Sequence, residues 1–331
     1  MPRSESGSLP EPVRVAFLLT PGFSFFTLSC AIEAFRVANE HTGANRFEYM
    51  TVAAGDELLV RSWDGLRLTA DWRMADCPPV RMIFVIASLQ AAEFFTAEAA
   101  RWLRRRAYAG TIIAAPGSGT VFAAKAGLLD GYACVTHWRL HDEFKERFPR
   151  VRLQTGLYLI DRDRLTSGGG LATYDLALAI VAGELGAAAA ADIADQMLHA
   201  RIRQPAESPR MALPLRYGIT DERVATALAA MEGAIEQPLG LAELAARAGS
   251  SPRQLQRLFV TTLGQTPHQV YLSVRLRVAR QLLQQSTLSI ADIALRCGFV
   301  DASHFAKRYR THFRQTPHTT RRHPEADTHM T

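Results

Sequence analysis

The sequence has little lysine, few cysteines and no long apolar run, and each shortage narrows what the chain does. Only Lys125, Lys145 and Lys307 are lysines, so arginine carries nearly all the positive charge. That bias reads first as genomic base composition. Cys30, Cys77, Cys134 and Cys297 stand far apart with no C-x-x-C pair, which argues against a metal knuckle or a dithiol redox motif. Free thiols fit a reducing cytoplasm. No apolar run nears the ~20 residues of a membrane span. Met1–Pro12 carries Glu5 and Glu11 and lacks the apolar stretch of a secretory leader. Gly117-Ser118-Gly119 has a phosphate-loop look, but no Walker lysine follows, and a dinucleotide fingerprint fails for want of its third glycine. The expectation is a soluble cytoplasmic protein with no metal, no cofactor and no membrane partner.

What is present suffices for two domains: 331 residues, 48% of them hydrophobic. The net charge of +6 is unevenly spread. From Ser251 to His323, eleven arginines and Lys307 oppose only Asp292 and Asp301, a net +10, and the remaining residues therefore sum to −4. A basic end on a mildly acidic body suits a polyanion as much as it suits a solvated face. Val13–Leu19, Phe47–Val52, Met82–Ala87 and Thr111–Ala115 read as buried strands alternating with helices at Phe25–Asn39 and Ala91–Arg106 and after Gly119. Arg61–Thr69 reads as a hairpin around Asp64-Gly65. Tyr132–Val135, a helix over Trp138–Phe148, the pair Leu157–Asp161 and Leu165–Ser167, and two Ala-rich helices near 171–185 and 189–202 complete the first domain. The fold class expected is an α/β sandwich, flavodoxin-like with a mainly parallel sheet, followed by an all-α domain. The expected boundaries are a disordered end over 1–12, the α/β domain over 13–203, a proline-bearing linker over 204–220, the helical domain over 221–323 and a disordered tail over 324–331.

In the helical domain, Leu241–Gly249 is a short helix stopped by glycine, and Pro252–Thr262 follows it after Ser250-Ser251. Leu255, Leu258 and Phe259 share its inner face. Arg253, Gln254, Gln256 and Arg257 take the others. The pattern recurs: Ile290–Gly298 copies the first helix, and Ala302–Phe313 copies the second. Phe305 and Tyr309 lie inside, and Ser303, His304, Ala306, Lys307 and Arg308 elsewhere. Gln265-Thr-Pro267 and Gln315-Thr-Pro317 close the two units alike, and the apolar stripe Leu272, Leu276, Ala279, Leu283 marks a helix joining them. A short helix, a glycine turn and a second helix bearing arginine and glutamine is the helix-turn-helix arrangement. Over residues 220–322 these segments resemble the AraC/XylS family of regulators. The resemblance implies two recognition helices facing successive major-groove segments of double-stranded DNA, with Arg253, Gln254, Gln256 and Arg257 on the first and Ser303, His304, Ala306, Lys307 and Arg308 on the second. It also implies RNA polymerase as a further partner and activation as the expected sign. Arginine pairs bidentately with guanine and glutamine with adenine, whereas lysine and serine mostly contact phosphate.

The first domain carries "PGFSFFTLSCAIEAFRVAN", "AGLLDGYACVTHW" and "RDRLTSGGGLATYDLAL". These segments resemble the PfpI/ThiJ-like (class I glutamine amidotransferase-like) domain of GlxA-type regulators. In related enzymes a cysteine sits on a sharp strand-to-helix turn beside a glutamate and a histidine, where its thiolate is stabilised. Counting back from Ala126–Gly131 puts that slot on Gly117, with Glu33 and His137 at the accompanying places. The resemblance then implies a retired active site kept as a ligand pocket. Phe23, Glu33, Gly117, Ser118, His137 and Trp138 form the candidate ligand set. Taken singly, Glu33 is equally a surface carboxylate and His137 equally a buried structural histidine. Trp63, Trp72, Trp138 and Tyr174 read more readily as core. The ligand expected is a small metabolite with an amino or quaternary ammonium group, and a homodimer is expected through this domain. The rival is a PfpI/ThiJ-class hydrolase or glyoxalase-type enzyme with secondary DNA binding. A third reading is an architectural DNA binder without a pocket.

Overall fold

The computed structural model describes residues 11–87, 94–210, 213–286 and 288–322. The chain divides into two units, Met1–Pro209 and Arg210–Thr331. The expectations for the ends, apart from Glu11 and Pro12, and for the tail lie outside the described residues.

The first unit runs β1 (Val13–Leu19), α1 (Phe25–Thr42), β2 (Phe47–Ala53), β3 (Leu59–Arg61), β4 (Arg67–Thr69), β5 (Trp72–Arg73), β6 (Met82–Ile86), α2 (Ala97–Tyr108), β7 (Ile112–Pro116), α3 (Gly119–Lys125), β8 (Ala133–Cys134), α4 (His141–Arg147), β9 (Arg152–Leu153), β10 (Tyr158–Asp161), β11 (Arg164–Ser167), α5 (Leu171–Leu185) and α6 (Ala187–Gln196). Seven strands form one sheet in the order β10-β11-β7-β6-β1-β2-β5. Every pairing in it is parallel except β10 with β11. Both faces are covered, as an almost wholly parallel sheet requires. Val15, Phe17 and Leu19 of β1 enter the core shared with α1, α5 and α6. Their alternates Ala16 and Leu18 enter the core shared with α2, α3 and α4. β3 and β4 make the expected hairpin, antiparallel from Leu59↔Thr69 to Arg61↔Arg67.

Three elements depart from the sequence reading. α2 begins at Ala97, because Thr96 caps it by accepting from the Ala99 amide; residues 88–93 of the expected helix lie outside the described residues. The helix expected from Trp138 opens as one 3-10 turn, Trp138–Leu140, before α4. α6 ends at Gln196 rather than near 202. Beyond it Leu198 turns left-handed (φ 53°), and His199 and Arg203 converge on Asp175.

The second unit is helical throughout its described residues: α7 (Leu213–Tyr217), α8 (Glu222–Gly233), α9 (Leu241–Arg247), α10 (Pro252–Leu263), α11 (Pro267–Gln285), α12 (Ile290–Arg296), α13 (Ala302–Phe313) and α14 (Pro317–Arg322). α7 falls inside the segment read as a linker. Two cores form. Val224, Leu228, Leu244, Leu255 and Phe259 make the first, and Ile293, Phe299, Phe305 and Tyr309 the second. α11 serves both, giving Val270, Tyr271 and Val274 to the first and Leu276, Ala279 and Leu283 to the second.

Candidate DNA interface and candidate ligand cavity

The two helical repeats share their caps, their side-chain bonds and their buried positions. Ser251 caps α10 by accepting from the Gln254 amide, and Pro252 occupies its first turn. Asp301 caps α13 by accepting from the His304 amide at 2.7 Å. Thr261 and Thr311 each donate to the carbonyl four residues back, of Arg257 and Lys307. α10 ends at left-handed Gly264 and α13 at left-handed Arg314. Leu255 and Phe259, like Phe305 and Tyr309, are buried, so each helix keeps one face in its core. Arg253, Gln254, Gln256 and Arg257 stand exposed on α10, as do Ser303, His304, Lys307 and Arg308 on α13, while Ala306 is half-buried. Among the described residues no carboxylate pairs with Arg253, Arg257 or Lys307. Arg308 donates to the His304 ring at 3.3 Å.

Arg275 of α11 makes a structural tie that the sequence reading passed over. Its Nε donates to the Cys297 carbonyl at 2.7 Å and its Nη2 to the Gly298 carbonyl at 2.6 Å. Its guanidinium lies 4.3 Å from the Phe299 ring centre. It thus ties the joining helix to the turn that aims α13. Its only sequence signal was a charge beside the apolar stripe at Leu276.

In the first unit a cavity of about 590 Å³ opens where β1, β6, β7 and β11 end. The chain leaves β1 for β2 on one side and returns through β6 on the other. That is the switch point at which parallel sheets bind ligands. Gly117, Ser118, His137 and Trp138 all line this cavity. Gly117 is left-handed (φ 55°), and a Cβ built there would lie 3.3 Å from the Gly169 Cα. Only glycine takes this left-handed turn between β7 and α3 without strain, and it brings no side chain to the cavity. The Gly117 carbonyl accepts from Thr120 Oγ1 at 2.6 Å and from Thr136 Oγ1 at 3.3 Å. Ser118 is buried and, among the described residues, bonds to no histidine or carboxylate through its hydroxyl. His137 stacks on Trp138 with ring centres 5.5 Å apart, and its Nδ1 accepts from the Arg139 amide at 3.3 Å. Burial first, then the Arg139 and His141 charges, pushes the His137 imidazole down to about 4, so it is neutral at pH 7.

Two members of the expected set lie elsewhere. Phe23 is fully buried in the core beside Phe25, because the turn after β1 folds it inward and presents Ser24–Thr27 instead. Glu33, two helical turns into α1, pairs with Arg36 at 2.8 Å and lines a separate cavity of about 420 Å³. Conversely, Trp63, read as core, is 43% exposed and lines the first cavity with Asp64. Arg203 also lines it. Its Nη2 and Nε reach the fully buried Asp175 carboxylate at 2.6 and 2.9 Å, and His199 holds the other oxygen at 2.9 Å. No local pattern flagged Arg203, which is brought in from beyond α6 by that one carboxylate.

Set against known proteins, residues 244–323 match the family described as helix-turn-helix domain. The chain is 36% identical over 311 residues to the HTH-type transcriptional regulator GbdR of Pseudomonas aeruginosa, covering 94% of this chain and 84% of that protein. A crystal structure of an AraC family transcriptional regulator from Pseudomonas putida aligns with a TM-score of 0.52 and 26% identity, over 56% of this chain and all of that one. A ThiJ/PfpI family protein from Pseudomonas syringae shares the fold, with a TM-score of 0.51 and 22% identity, over 75% of this chain and 95% of that one.

Proposed function

This chain belongs to the GlxA-type regulators, AraC-type helix-turn-helix transcription factors with a DJ-1/PfpI-like first domain, and from that premise we propose that its DNA binding is controlled by a zwitterionic metabolite held at the Arg203 cavity. It is a DNA-binding transcriptional regulator. Its two exposed helix faces, on α10 and α13, engage successive major-groove segments. Arg253, Gln254, Gln256 and Arg257 read or grip through the first. Ser303, His304, Ala306, Lys307 and Arg308 do so through the second.

The single observation that carries the ligand reading is Arg203. Asp175 engages its Nε and Nη2, which fixes the plane of the guanidinium and leaves Nη1 to meet a ligand carboxylate. Opposite signs are supplied by Asp64 and the aromatic faces of Trp63 and Phe26, which suit an amino or quaternary ammonium group. Asp64 takes the part first expected of Glu33. The first unit is read as non-catalytic: Gly117 has no side chain to form a covalent intermediate, and neutral His137 has no nucleophile to activate. The protein acts in the cytoplasm as a homodimer that contacts RNA polymerase, and ligand shifts the population of its DNA-binding arrangements.

Calorimetry on the full chain with glycine betaine, a neutral sugar and a dicarboxylate tests this. The zwitterion should bind, and Trp63→Leu should weaken it about two- to thirtyfold, the worth of a ~0.5–2 kcal/mol cation–π contact. Binding confined to ligands without a cationic group would sink the reading.

A further inference from the structure

The turn before α13 is one residue longer than its counterpart before α10: Gly298 leads to the cap Asp301, where Gly249 leads to the cap Ser251. The chain across this longer turn alternates in direction. Phe299 points inward, only 3% exposed, with its ring centre 5.2 Å from that of Phe305 and 5.8 Å from that of His304. Val300 points outward and is 84% exposed. Asp301 is extended and accepts from the His304 amide, so its carboxylate is engaged at the helix N-terminus. Val300 therefore stands at the leading end of α13, just ahead of the exposed Ser303 and His304. The N-terminal residues of a recognition helix are those that meet base edges. At the matching place before α10, the Ser250 hydroxyl donates to Gln254 Oε1 at 3.3 Å. The two repeats thus present different chemistry at one position: a hydroxyl coupled to a glutamine in the first, bare methyl groups in the second.

We infer that Val300 is a specificity-determining residue of the second repeat, seating its methyl groups on the C5-methyl of one thymine in the major groove. Thymine alone among the four bases carries a methyl on that edge; cytosine shows an amino donor there, and the purines show N7. A side chain without hydrogen-bonding atoms can tell bases apart on that edge only by such a methyl. Val300 is also stiff about its first side-chain bond, so holding it against a base costs little rotamer freedom. The fold makes no other use of it. It belongs neither to the second core of the helical unit nor to the side chains packed against that core. The one carboxylate beside it, Asp301, is turned to the helix amide and does not set a free negative charge against the duplex. The inference rests on the reading that α13 enters a major groove, and it adds one base and one contact to that reading.

The test uses the full chain and the duplex it selects from a random pool. Replacing the thymines of that duplex by deoxyuridine, one at a time, removes only the C5-methyl. One such replacement should weaken the parent about fourfold, the worth of one buried methyl. Val300→Ser should lose about the same factor on the thymine duplex and should bind its thymine and uracil forms alike. Its urea midpoint should match the parent's, because the site is exposed. 7-Deazapurines placed along the duplex alter only the major-groove edge of the purines. They should weaken binding in two blocks about one helical turn apart, with the sensitive thymine inside one of them. Two blocks without any uracil penalty would overturn the Val300 assignment and leave the two-helix reading standing; a single block would overturn both. A uracil penalty that Val300→Ser keeps in full would give the methyl contact to another side chain, such as Ala306, and so overturn the inference. So would a Val300→Ser variant that binds DNA as the parent does but alters transcription, since Val300 would then face a protein.

Discussion

Gly249 and Gly298 occupy the same place in the two repeats and bear different loads. Both are left-handed, at φ 60° and 71°. A Cβ at Gly249 would meet nothing within 4 Å, whereas one at Gly298 would lie 2.6 Å from the Ile235 carbonyl and 2.7 Å from Pro238. Gly249→Ala therefore faces only the left-handed penalty of about 1–2 kcal/mol. Gly298→Ala must also push backbone apart, and should cost about 3 kcal/mol or more. Urea unfolding of the two variants should rank them in that order; equal losses would show that the Pro238 contact yields freely. In the first unit, His137 predicts a pH effect. Its folded value of about 4 lies below the ordinary 6.5, so between these pH values the unfolded chain binds the extra proton. Stability then rises with pH across that window and is lost as pH falls from about 6.5 toward 4. The contribution is on the order of 1–3 kcal/mol after allowing for partial solvent exposure. Melting of His137→Gln should depend less steeply on pH in that window than melting of the parent; an unchanged slope would refute the buried neutral imidazole.

At the scale of the element, the repeated helices were legible because period, cap and turn residues agreed. Ser251 and Asp301 cap, Gly249 and Gly298 turn, and Leu255 and Phe305 point inward, each signalled within a few residues of its neighbours. The parallel strands were equally plain, as short apolar runs between turn residues. Illegible were contacts made across long sequence gaps. Arg203 reaches back 28 residues to Asp175, and Arg275 reaches forward 22 to Cys297. Nothing local to either residue announces its partner. Glu33 was misplaced for a related reason, since motif position along α1 does not say which way the helix faces. The Arg275 contacts carry a prediction. Arg275→Ala frees two carbonyls at the turn before α13 and should weaken binding through the second helical repeat while leaving contacts of α10 intact. Footprinting should show protection lost over the α13 half of the site first; even loss over both halves would contradict it. Within the helices themselves, Arg257→Ala should cost about 1–3 kcal/mol on the specific site and relax preference at one base pair. Lys307→Ala should weaken all duplexes alike and flatten the salt dependence.

At the scale of the whole molecule, the two units have separate cores, and charge is divided between them. The segment from Ser251 to His323 carries +10 of the chain's +6 net charge, the remainder being −4. Phosphate attraction therefore resides in the second unit, while the Arg203 and Glu33 cavities reside in the first. Each unit also closes its own hydrophobic clusters, two in the first and two in the second, so neither needs the other to bury its apolar residues. A fragment over residues 210–331 should consequently unfold cooperatively by itself and keep both sequence preference and salt dependence. The salt slope is the sharper measure, because each phosphate contact contributes about −0.9 to the slope of log K against log salt. That count is expected of basic side chains in the second unit, Lys307 among them, which the fragment retains. Gel shifts across a salt series should give parallel lines for fragment and full chain, with the full-chain line alone displaced by ligand. A fragment that binds every duplex equally would place sequence reading outside these two helical units. A fragment that shifts with ligand would place ligand sensing outside the first unit.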